Sequence, residues 1–207
     1  MLILVGESGS GKSTVQKELV NNFGYKTAIL STTRPKRENE ADGIDYNFLS
    51  KKSFEEISDE GYFMSVKKYN DWWYGIPKPL DDPDNYVIVA TPADMRYIKK
   101  TSGIKNIFTV YITVPRRDRM IMALLREDDI EEVYRRSLTD IGQFDGIKEE
   151  CDFVVSNQIN NNEFNHILTI QDLAKNIDEL YKRRFTIWIK ITTTRLILSL
   201  KNRKDNE

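Results

Sequence analysis

The stretch that decides the fold is Leu2-Ile3-Leu4-Val5-Gly6-Glu7-Ser8-Gly9-Ser10-Gly11-Lys12-Ser13-Thr14. It opens with a short apolar run, which is typical of a buried parallel strand. The remainder satisfies the pattern G-x-x-x-x-G-K-[ST], and apolar residues then recur at helical spacing over residues 15–23. A strand, a glycine-rich loop and a helix are therefore expected in succession, and this order predicts a phosphate-binding loop.

The loop has the chemistry of an anion site. Its glycines let successive backbone N–H groups point inward, and the helix that follows adds the positive end of its dipole. Lys12 can reach the outer phosphates of a nucleoside triphosphate, and the Ser13 hydroxyl can join the coordination shell of Mg²⁺. The motif leaves open whether the chain is a kinase, a GTPase, an ATP-driven motor or a transporter subunit. The residues expected to hold the donor nucleotide are Gly6, Glu7, Ser8, Gly9, Ser10, Gly11, Lys12, Ser13 and Thr14.

The composition excludes several broad classes of protein. The chain has 207 residues, 40 % hydrophobic and 11 % aromatic, which is enough for a core and excludes wholesale disorder. Its 31 lysines and arginines are balanced by 32 acidic residues, so it lacks the basic excess of a dedicated nucleic-acid binder. The single cysteine fits a reducing compartment, and no apolar run suits a signal peptide or a membrane span. We expect a soluble, cytoplasmic monomer or homodimer with small-molecule partners and neither nucleic acid nor membrane.

Hydrophobic periodicity predicts an α/β chain. Continuous apolar runs, which suit parallel strands, alternate with amphipathic segments, which suit helices. The predicted strands cover residues 2–5, 86–90, 108–114 and 153–155, and the predicted helices cover 15–23, 93–100, 116–125, 130–141 and 164–181.

A second polar segment covers residues 31–48. Arg34 and Arg37 lie three positions apart, with hydroxyl residues before them and Tyr46 after them. Two guanidinium groups and a phenol can surround a phosphate monoester, and arginine suits this role because it makes bidentate contacts. Mixed-charge runs are also typical of solvated surface loops, so the segment alone supports both interpretations.

The same segment carries a resemblance to a known family. Its pattern, Ser31-Thr32-Thr33-Arg34-x-x-Arg37-x-x-Glu40-x-x-Gly43-x-Asp45-Tyr46-x-Phe48, resembles the guanylate kinase signature and lies at that family's usual separation from the phosphate-binding loop. Tyr74-Gly75 and the runs 108–114 and 153–157 extend the resemblance over about residues 1–182. It implies a P-loop NTPase fold, with a parallel sheet flanked by helices and with inserted lid and nucleoside monophosphate (NMP)-binding lobes. It also implies ATP as phosphoryl donor, Mg²⁺, and GMP or dGMP as acceptor.

The resemblance also implies an organisation of the chain and a set of site residues. The guanylate-kinase-like domain would be 1–182, with a core of 1–29, 86–116 and 143–182, an NMP-binding lobe of 30–85 and a lid of 117–142. Residues 183–207 would be a tail of unknown role. The implied catalytic residues are Lys12, Arg34, Arg126 and Arg136, and Ser13 is the implied metal ligand. The implied acceptor-binding residues are Ser31, Arg34, Arg37, Glu40, Tyr46, Ser65 and Tyr74.

Three positions that read the base in this family differ in this chain. Leu30 and Ile76 stand where the family has hydroxyl residues, and Ser65 stands where it has a glutamate. Loss of a carboxylate that pairs with guanine N1–H and N2–H₂ is expected to relax or redirect the choice of base. Glu60 or Asp71 could replace that carboxylate if the alignment shifts by a few residues.

Two further departures concern acidic residues. The family ends the strand expected at 86–90 with acids, whereas here the chain continues Thr91-Pro92-Ala93-Asp94. Asp94 could support the metal, or it could be a helix N-terminal acid, with the metal then held by Ser13, phosphates and water. Glu7 places a carboxylate in the phosphate loop, which is mildly unfavourable unless it faces solvent.

The departures leave two alternative functions open. One is a kinase of the same fold that acts on another nucleoside monophosphate or on a ribose phosphate, which would need no base-reading groups. The other is a non-catalytic protein-binding module, although the complete Gly11-Lys12-Ser13-Thr14 motif speaks against it.

Overall fold

The structure, a computed structural model, describes residues 1–37, 40–125, 129–157 and 169–183. The strands in these ranges are β1 Leu2–Val5, β2 Ser31–Thr32, β3 Asn47–Phe48, β4 Phe63–Tyr69, β5 Trp72–Pro77, β6 Val87–Val89, β7 Phe108–Thr113 and β8 Phe153–Ser156. The helices are α1 Lys12–Phe23, α2 Lys51–Asp59, α3 Pro92–Thr101, α4 Arg116–Leu125, α5 Ile130–Thr139, α6 Ile147–Glu150 and α7 over residues 170–183. A short 3-10 turn, Pro83–Asn85, precedes β6.

A parallel sheet forms the centre of the molecule. In the described part of the chain it has the order β6-β1-β7-β8, and all neighbouring strands in it are parallel. Because side chains alternate along a strand, Leu2 and Leu4 pack on the side of α1 and α7, whereas Ile3 and Val5 pack on the side of α3. Both faces of β1 are therefore covered by helices, which explains its continuous apolar sequence.

The predicted fold class is confirmed. The predicted strands of this sheet agree with the observed ones to within two residues at each end, and the helix predicted over 116–125 is α4. The lid helix predicted over 130–141 ends earlier, at Thr139, and Gly142 follows with a φ of 77°. The helix predicted over 164–181 is observed from residue 170, while residues 164–168 lie outside the described ranges.

A second sheet lies within residues 30–85 and was not predicted from the sequence. Across the described residues its order is β3-β2-β5-β4, with a parallel β2–β3 pair and antiparallel β2–β5 and β4–β5 pairs. The ring of Phe54, on α2, stacks on Phe63 at 4.8 Å between centroids. A Cβ at Gly75 would lie 2.6 Å from that Phe63 ring, so the tight β4–β5 hairpin needs glycine there.

Helices α4 and α5 form the segment that corresponds to the expected lid. α5 reaches the second sheet through Arg135, which donates a 2.5 Å hydrogen bond to the Tyr69 hydroxyl, and through Glu132, which accepts one of 3.4 Å from Arg37. The described conformation therefore brings α5 against the second sheet. None of the helices in the described ranges has the length and apolar character needed to cross a membrane.

Candidate functional site

The loop between β1 and α1 has a backbone that only glycine accommodates readily. Gly9 and Gly11 have φ values of 79° and 89°, in the left-handed region. A Cβ at Gly6 would lie 2.4 Å from the Ile112 carbonyl oxygen and 2.6 Å from the Ser10 hydroxyl, so a side chain there would displace the loop from β7. The glycines of the motif are therefore required by conformation and by close packing.

Lys12 lies in the first turn of α1 and folds back over the loop. Its ammonium donates a 2.8 Å hydrogen bond to the Glu7 carbonyl oxygen. Burial lowers the pKa of Lys12 to about 8, against the opposing effect of the nearby Asp140 and Glu7 carboxylates. A buried cation on a glycine loop has a strong electrostatic preference for an anionic ligand.

Two residues that the sequence interpretation missed, one on α4 and one just after α5, contact the loop. Asp140, which follows α5, accepts a 2.7 Å hydrogen bond from the Ser8 backbone N–H. Arg119, on α4, donates to the Ser8 carbonyl oxygen at 3.1 Å and lies 3.6 Å from the Asp140 carboxylate. Neither contact has a sequence signature, because each joins segments more than a hundred residues apart.

The carboxylate of Glu7 does not point into open solvent. Its side chain is 18 % exposed and lies 3.9 Å from the Arg119 guanidinium, which offsets its charge. Glu7 Oε2 and Arg119 Nε are nevertheless buried without a hydrogen-bond partner in the described residues. The unfavourable acid expected at this position is therefore compensated by a cation, although incompletely.

Arg34 is buried and held from several sides. Its guanidinium donates to both oxygens of Glu40, at 2.7 and 2.9 Å, and to the Pro35 carbonyl oxygen at 2.7 Å. The guanidinium carbon also lies 5.6 Å from the centroids of the Tyr46 and Phe48 rings. Burial of Glu40 opposes ionisation, but hydrogen bonds from Arg34 and from the Arg37 N–H outweigh it and lower the pKa of Glu40. Arg34 is thus positioned by an ionised carboxylate and two aromatic rings.

Of the other expected acceptor-binding residues, Tyr46 and Tyr74 lie beside this arginine. Tyr46 meets Tyr74 edge-on at 6.3 Å, and burial raises the pKa of the Tyr46 phenol, which therefore stays protonated at neutral pH. Ser31 is buried on β2, opposite Gly75 of β5. The structure brings Arg34, Glu40, Tyr46 and Tyr74 together, whereas Arg37 is exposed and points to α5.

Glu132 of α5 binds two arginines of its own helix and Arg37. It accepts hydrogen bonds of 2.7 and 2.9 Å from Arg135, one of 2.7 Å from Arg136 and one of 3.4 Å from Arg37. These bonds, above all those from Arg135, lower the pKa of Glu132 to about 2 despite its partial burial. Arg126, the other lid arginine implied by the resemblance, lies outside the described residues.

The base-reading positions have an unexpected arrangement. Ser65 is buried and donates a 2.9 Å hydrogen bond to Asp94 Oδ1, while Lys67 forms an ion pair with Asp94 Oδ2. Asp94 also completes a capping box with Thr91 at the start of α3, which confirms its reading as a helix N-terminal acid. Glu60 and Asp71 are exposed and are not among the residues that line the cavity described next.

One cavity of about 810 Å³ is lined by several of these groups. Its walls include Gly6 and Lys12 of the loop, Tyr46 and Tyr74 of the second sheet, and Arg136 of α5. Ser13 is exposed at the start of α1, and the described residues contain no group of three or more histidine, cysteine or acidic side chains that could hold a metal. A hard cation here would have to rely on the Ser13 oxygen together with ligand and water oxygens, a donor set that suits Mg²⁺.

The parallel sheet, the glycine loop and the inserted second sheet define the class: a P-loop α/β protein with a nucleotide-sized cavity. A sequence model of the guanylate kinase family matches residues 1–182. The chain therefore belongs to the guanylate kinase family, as the resemblance indicated.

Individual relatives agree with this assignment. A guanylate kinase of Clostridioides difficile is 42 % identical over 79 residues, which cover 38 % of this chain and 38 % of that protein. A guanylate kinase of Campylobacter jejuni is 31 % identical over 134 residues, covering 62 % of this chain and 65 % of the relative. One of Streptococcus pyogenes is 27 % identical over 163 residues, covering 76 % and 77 %. The match to the C. difficile protein thus spans well under half of its length.

The fold has a counterpart among solved structures. The crystal structure of guanylate kinase from Anaplasma phagocytophilum superposes with a TM-score of 0.59 and covers 89 % of this chain and 85 % of that one. At 20 % sequence identity this likeness supports the fold alone.

Proposed function

We propose that this protein transfers the γ-phosphoryl group of ATP to a nucleoside monophosphate, most favourably GMP or dGMP. The observation that carries the proposal is the single cavity that is lined at once by the phosphate-binding loop, by Tyr46 and Tyr74, and by Arg136. A cavity of about 810 Å³ with cationic and hydroxyl groups in separate walls suits two phosphate-bearing ligands held face to face. Membership of the guanylate kinase family supports the same reading and does not favour the ribose phosphate or the non-catalytic alternative.

In this proposal each ligand has its own set of residues. Residues 6–14 hold the triphosphate of ATP, with Lys12 beside the transferred group. Arg34, Tyr46 and Tyr74 hold the acceptor phosphate, with Ser31 and Glu40 as supporting groups, and Arg37 joins them by exchanging its 3.4 Å contact with Glu132 for the phosphate. The NMP-binding lobe is 30–85, the lid is 117–142, and the core comprises 1–29, 86–116 and 143–182. Arg136 and Arg126 of the lid complete the charge neutralisation.

The reaction then needs no general base. An oxygen of the acceptor phosphate is already anionic at neutral pH; it forms a new bond to the γ-phosphorus while the bond from that phosphorus to the β–γ bridging oxygen breaks, and ADP leaves with that oxygen. Arg34, fixed by Glu40, aligns the attacking phosphate, and Lys12 neutralises charge on the transferred group. Mg²⁺, bound through Ser13 and phosphate oxygens, would supply further charge neutralisation.

The experiment that tests this proposal is an ADP-release assay with Mg·ATP and a panel of acceptors: GMP, dGMP, AMP, CMP, UMP, TMP and a ribose phosphate. We expect turnover with GMP and dGMP that is lost in Lys12→Ala. A folded protein that turns over none of the acceptors would overturn the proposal, and turnover of the ribose phosphate alone would replace it. We propose the cytoplasm as the compartment and a monomer or homodimer as the active form; sedimentation of the active protein tests the latter.

A further inference from the structure

One part of the cavity wall is largely apolar and carries an ion pair whose acid is buried and whose lysine is partly exposed. Beyond the two tyrosines, this part of the wall is formed by Leu30 and Ile76 of the second sheet and by residues 89–93, at the end of β6 and the start of α3, of which Thr91 is polar. Lys67 and Asp94 are the paired charges in this wall. An apolar slot with a few convergent polar groups is the usual form of a site that selects one ring system over another.

The strand register fixes where this ion pair lies. Lys67 of β4 is directly opposite Tyr74 of β5, and Ser65 is opposite Ile76. Residues 65 and 67 share one face of β4 because side chains alternate along a strand. The ion pair is therefore one strand away from the tyrosine proposed to hold the acceptor phosphate, on the cavity-lining face of the sheet.

Both members of the pair retain hydrogen-bonding capacity. Asp94 Oδ1 accepts a 2.9 Å hydrogen bond from Ser65, while Oδ2 accepts from Lys67 and, at 2.6 Å, from the Thr91 hydroxyl. Lys67 also donates to the Thr91 hydroxyl at 3.1 Å. A carboxylate oxygen can accept two hydrogen bonds and an ammonium can donate three, so Oδ1 and Nζ can each serve one more partner.

We propose that Lys67 and Asp94 read the acceptor base: Asp94 Oδ1 accepts from the ring N1–H of a 6-oxopurine, and Lys67 Nζ donates to its O6. This inference rests on the proposed function and names the groups that select its substrate. Guanine presents a carbonyl beside an N–H on this edge, whereas adenine presents an amino group beside an unprotonated nitrogen and would leave both charges wrongly paired. The Asp94 carboxylate and the Lys67 ammonium would thus recognise the base in this chain. Leu30, Ser65 and Ile76 lack the hydroxyl and carboxylate groups with which the family does so.

The proposal changes what a substitution at position 65 should do. The resemblance alone suggests that Ser65→Glu would strengthen guanine recognition. In the structure the Ser65 hydroxyl contacts Asp94, so Ser65→Glu would press two carboxylates together in a buried site, which is unfavourable. Restoring the family arrangement therefore requires the double variant Ser65→Glu with Asp94→Asn, which moves the carboxylate and keeps the net charge.

The test measures equilibrium binding of GMP, IMP and AMP to the full chain by calorimetry, with phosphoryl transfer assayed separately. Lys67→Met and Asp94→Asn should each lower the ratio of GMP to AMP affinity by about ten- to a hundredfold, while ATP affinity stays unchanged. Asn keeps an oxygen for the capping box of α3, so Asp94→Asn should fold. Lys99→Met is the matched control, since Lys99 donates similar bonds, to Thr109 and to the Glu150 carbonyl oxygen, outside the cavity wall.

The outcomes separate this inference from the proposed function. Wild-type protein that binds GMP selectively without phosphorylating it would overturn the proposed phosphoryl transfer. The same result would still support base recognition by Lys67 and Asp94 if the two variants lose the selectivity. The wild type could be active while folded Lys67→Met and Asp94→Asn keep its ratio of GMP to AMP affinity. That result would overturn base recognition by these two residues and leave the proposed function standing. Recovery of GMP selectivity in Ser65→Glu/Asp94→Asn would support it. Wild type that binds neither nucleotide would overturn both.

Discussion

At the scale of single residues, the charge of Lys12 is set by two opposing effects. Burial lowers its pKa to about 8, while the Asp140 and Glu7 carboxylates act in the other direction. We predict that affinity for Mg·ATP is steady near neutral pH and falls as the pH rises above about 8, because the neutral amine cannot balance a phosphate oxygen. Calorimetric titration across this pH range measures the effect. Affinity that stays constant well above pH 8 would show that Lys12 remains charged without nucleotide.

Substitution of Arg34 should weaken binding of the acceptor without weakening binding of ATP. Arg34→Ala is expected to raise KM for the acceptor by about ten- to a hundredfold while leaving ATP affinity nearly unchanged. Arg34→Lys should recover little of the loss, because an ammonium cannot make the bidentate contacts of a guanidinium. Lys36→Ala, two positions away on an exposed side chain, is the control. Equal losses for both substrates would contradict the assignment.

The site residues that could be predicted from the sequence are those that belong to a motif. The loop glycines, Lys12 and the group around Arg34 lie in short contiguous patterns whose chemistry is local. The partnership of Ser65 and Asp94 was not predictable, because it joins positions 29 residues apart through the packing of α3 on β4. The same holds for the ion pair that balances Glu7, since Arg119 comes from another helix.

At the scale of elements, the end of α5 competes with a phosphate for the loop. Asp140 accepts the Ser8 N–H, which is one of the donors that a bound triphosphate would use, and adds a negative charge there. We predict that Asp140→Asn increases ATP affinity by roughly a few fold at neutral pH. Asp118→Asn, in the first turn of the neighbouring helix α4, is the control and should leave ATP affinity unchanged. Weaker ATP binding in Asp140→Asn would show instead that the carboxylate supports the site, for example through Lys12.

Glu132 should make the stability of α5 and its contacts sensitive to acid. Its pKa is about 2 in the folded protein and near 4.5 when exposed, so its stabilising effect is complete above pH 4.5 and is lost as the pH falls toward 2. Wild type should therefore have a higher melting temperature than Glu132→Gln at neutral pH, and the difference should shrink at pH 3. Thermal denaturation followed by circular dichroism measures it. A difference that does not change with pH would rule out this account.

The core elements were more predictable than those of the second sheet. β1, β6 and β7 are buried on both faces and so appear as continuous apolar runs, which a sequence reveals. β2 and β3 have two residues each, and the outer half of β4 is partly exposed. These strands are therefore too short, or too irregular in their alternation of apolar and polar residues, to be recognised in the sequence. Tertiary contacts such as the Phe54–Phe63 stack stabilise that sheet, and such contacts leave no periodic signal.

At the scale of the whole molecule, the described core is closed by α7. Leu173, Ala174 and Ile177 of this helix are buried against the side of the parallel sheet that also receives α1. The family match ends at residue 182, and residues 184–207 lie outside the described ranges. We predict that a chain ending at Arg183 unfolds cooperatively near the wild-type melting temperature and retains nucleotide binding. Loss of cooperative unfolding would assign the remaining residues to the core.

The central position of β1 also has a consequence for biosynthesis. β1 precedes its partners Val87–Val89 and Phe108–Thr113 in the chain, and every ladder bond it makes spans more than eighty residues. At about 5–20 residues per second, the ribosome needs roughly 5 to 20 s to deliver both partners. During that interval the apolar run Leu2–Val5 lacks the strands that cover it in the folded protein and is open to premature association. The strand that precedes the phosphate loop would thus benefit from a ribosome-associated chaperone until both partners have been made.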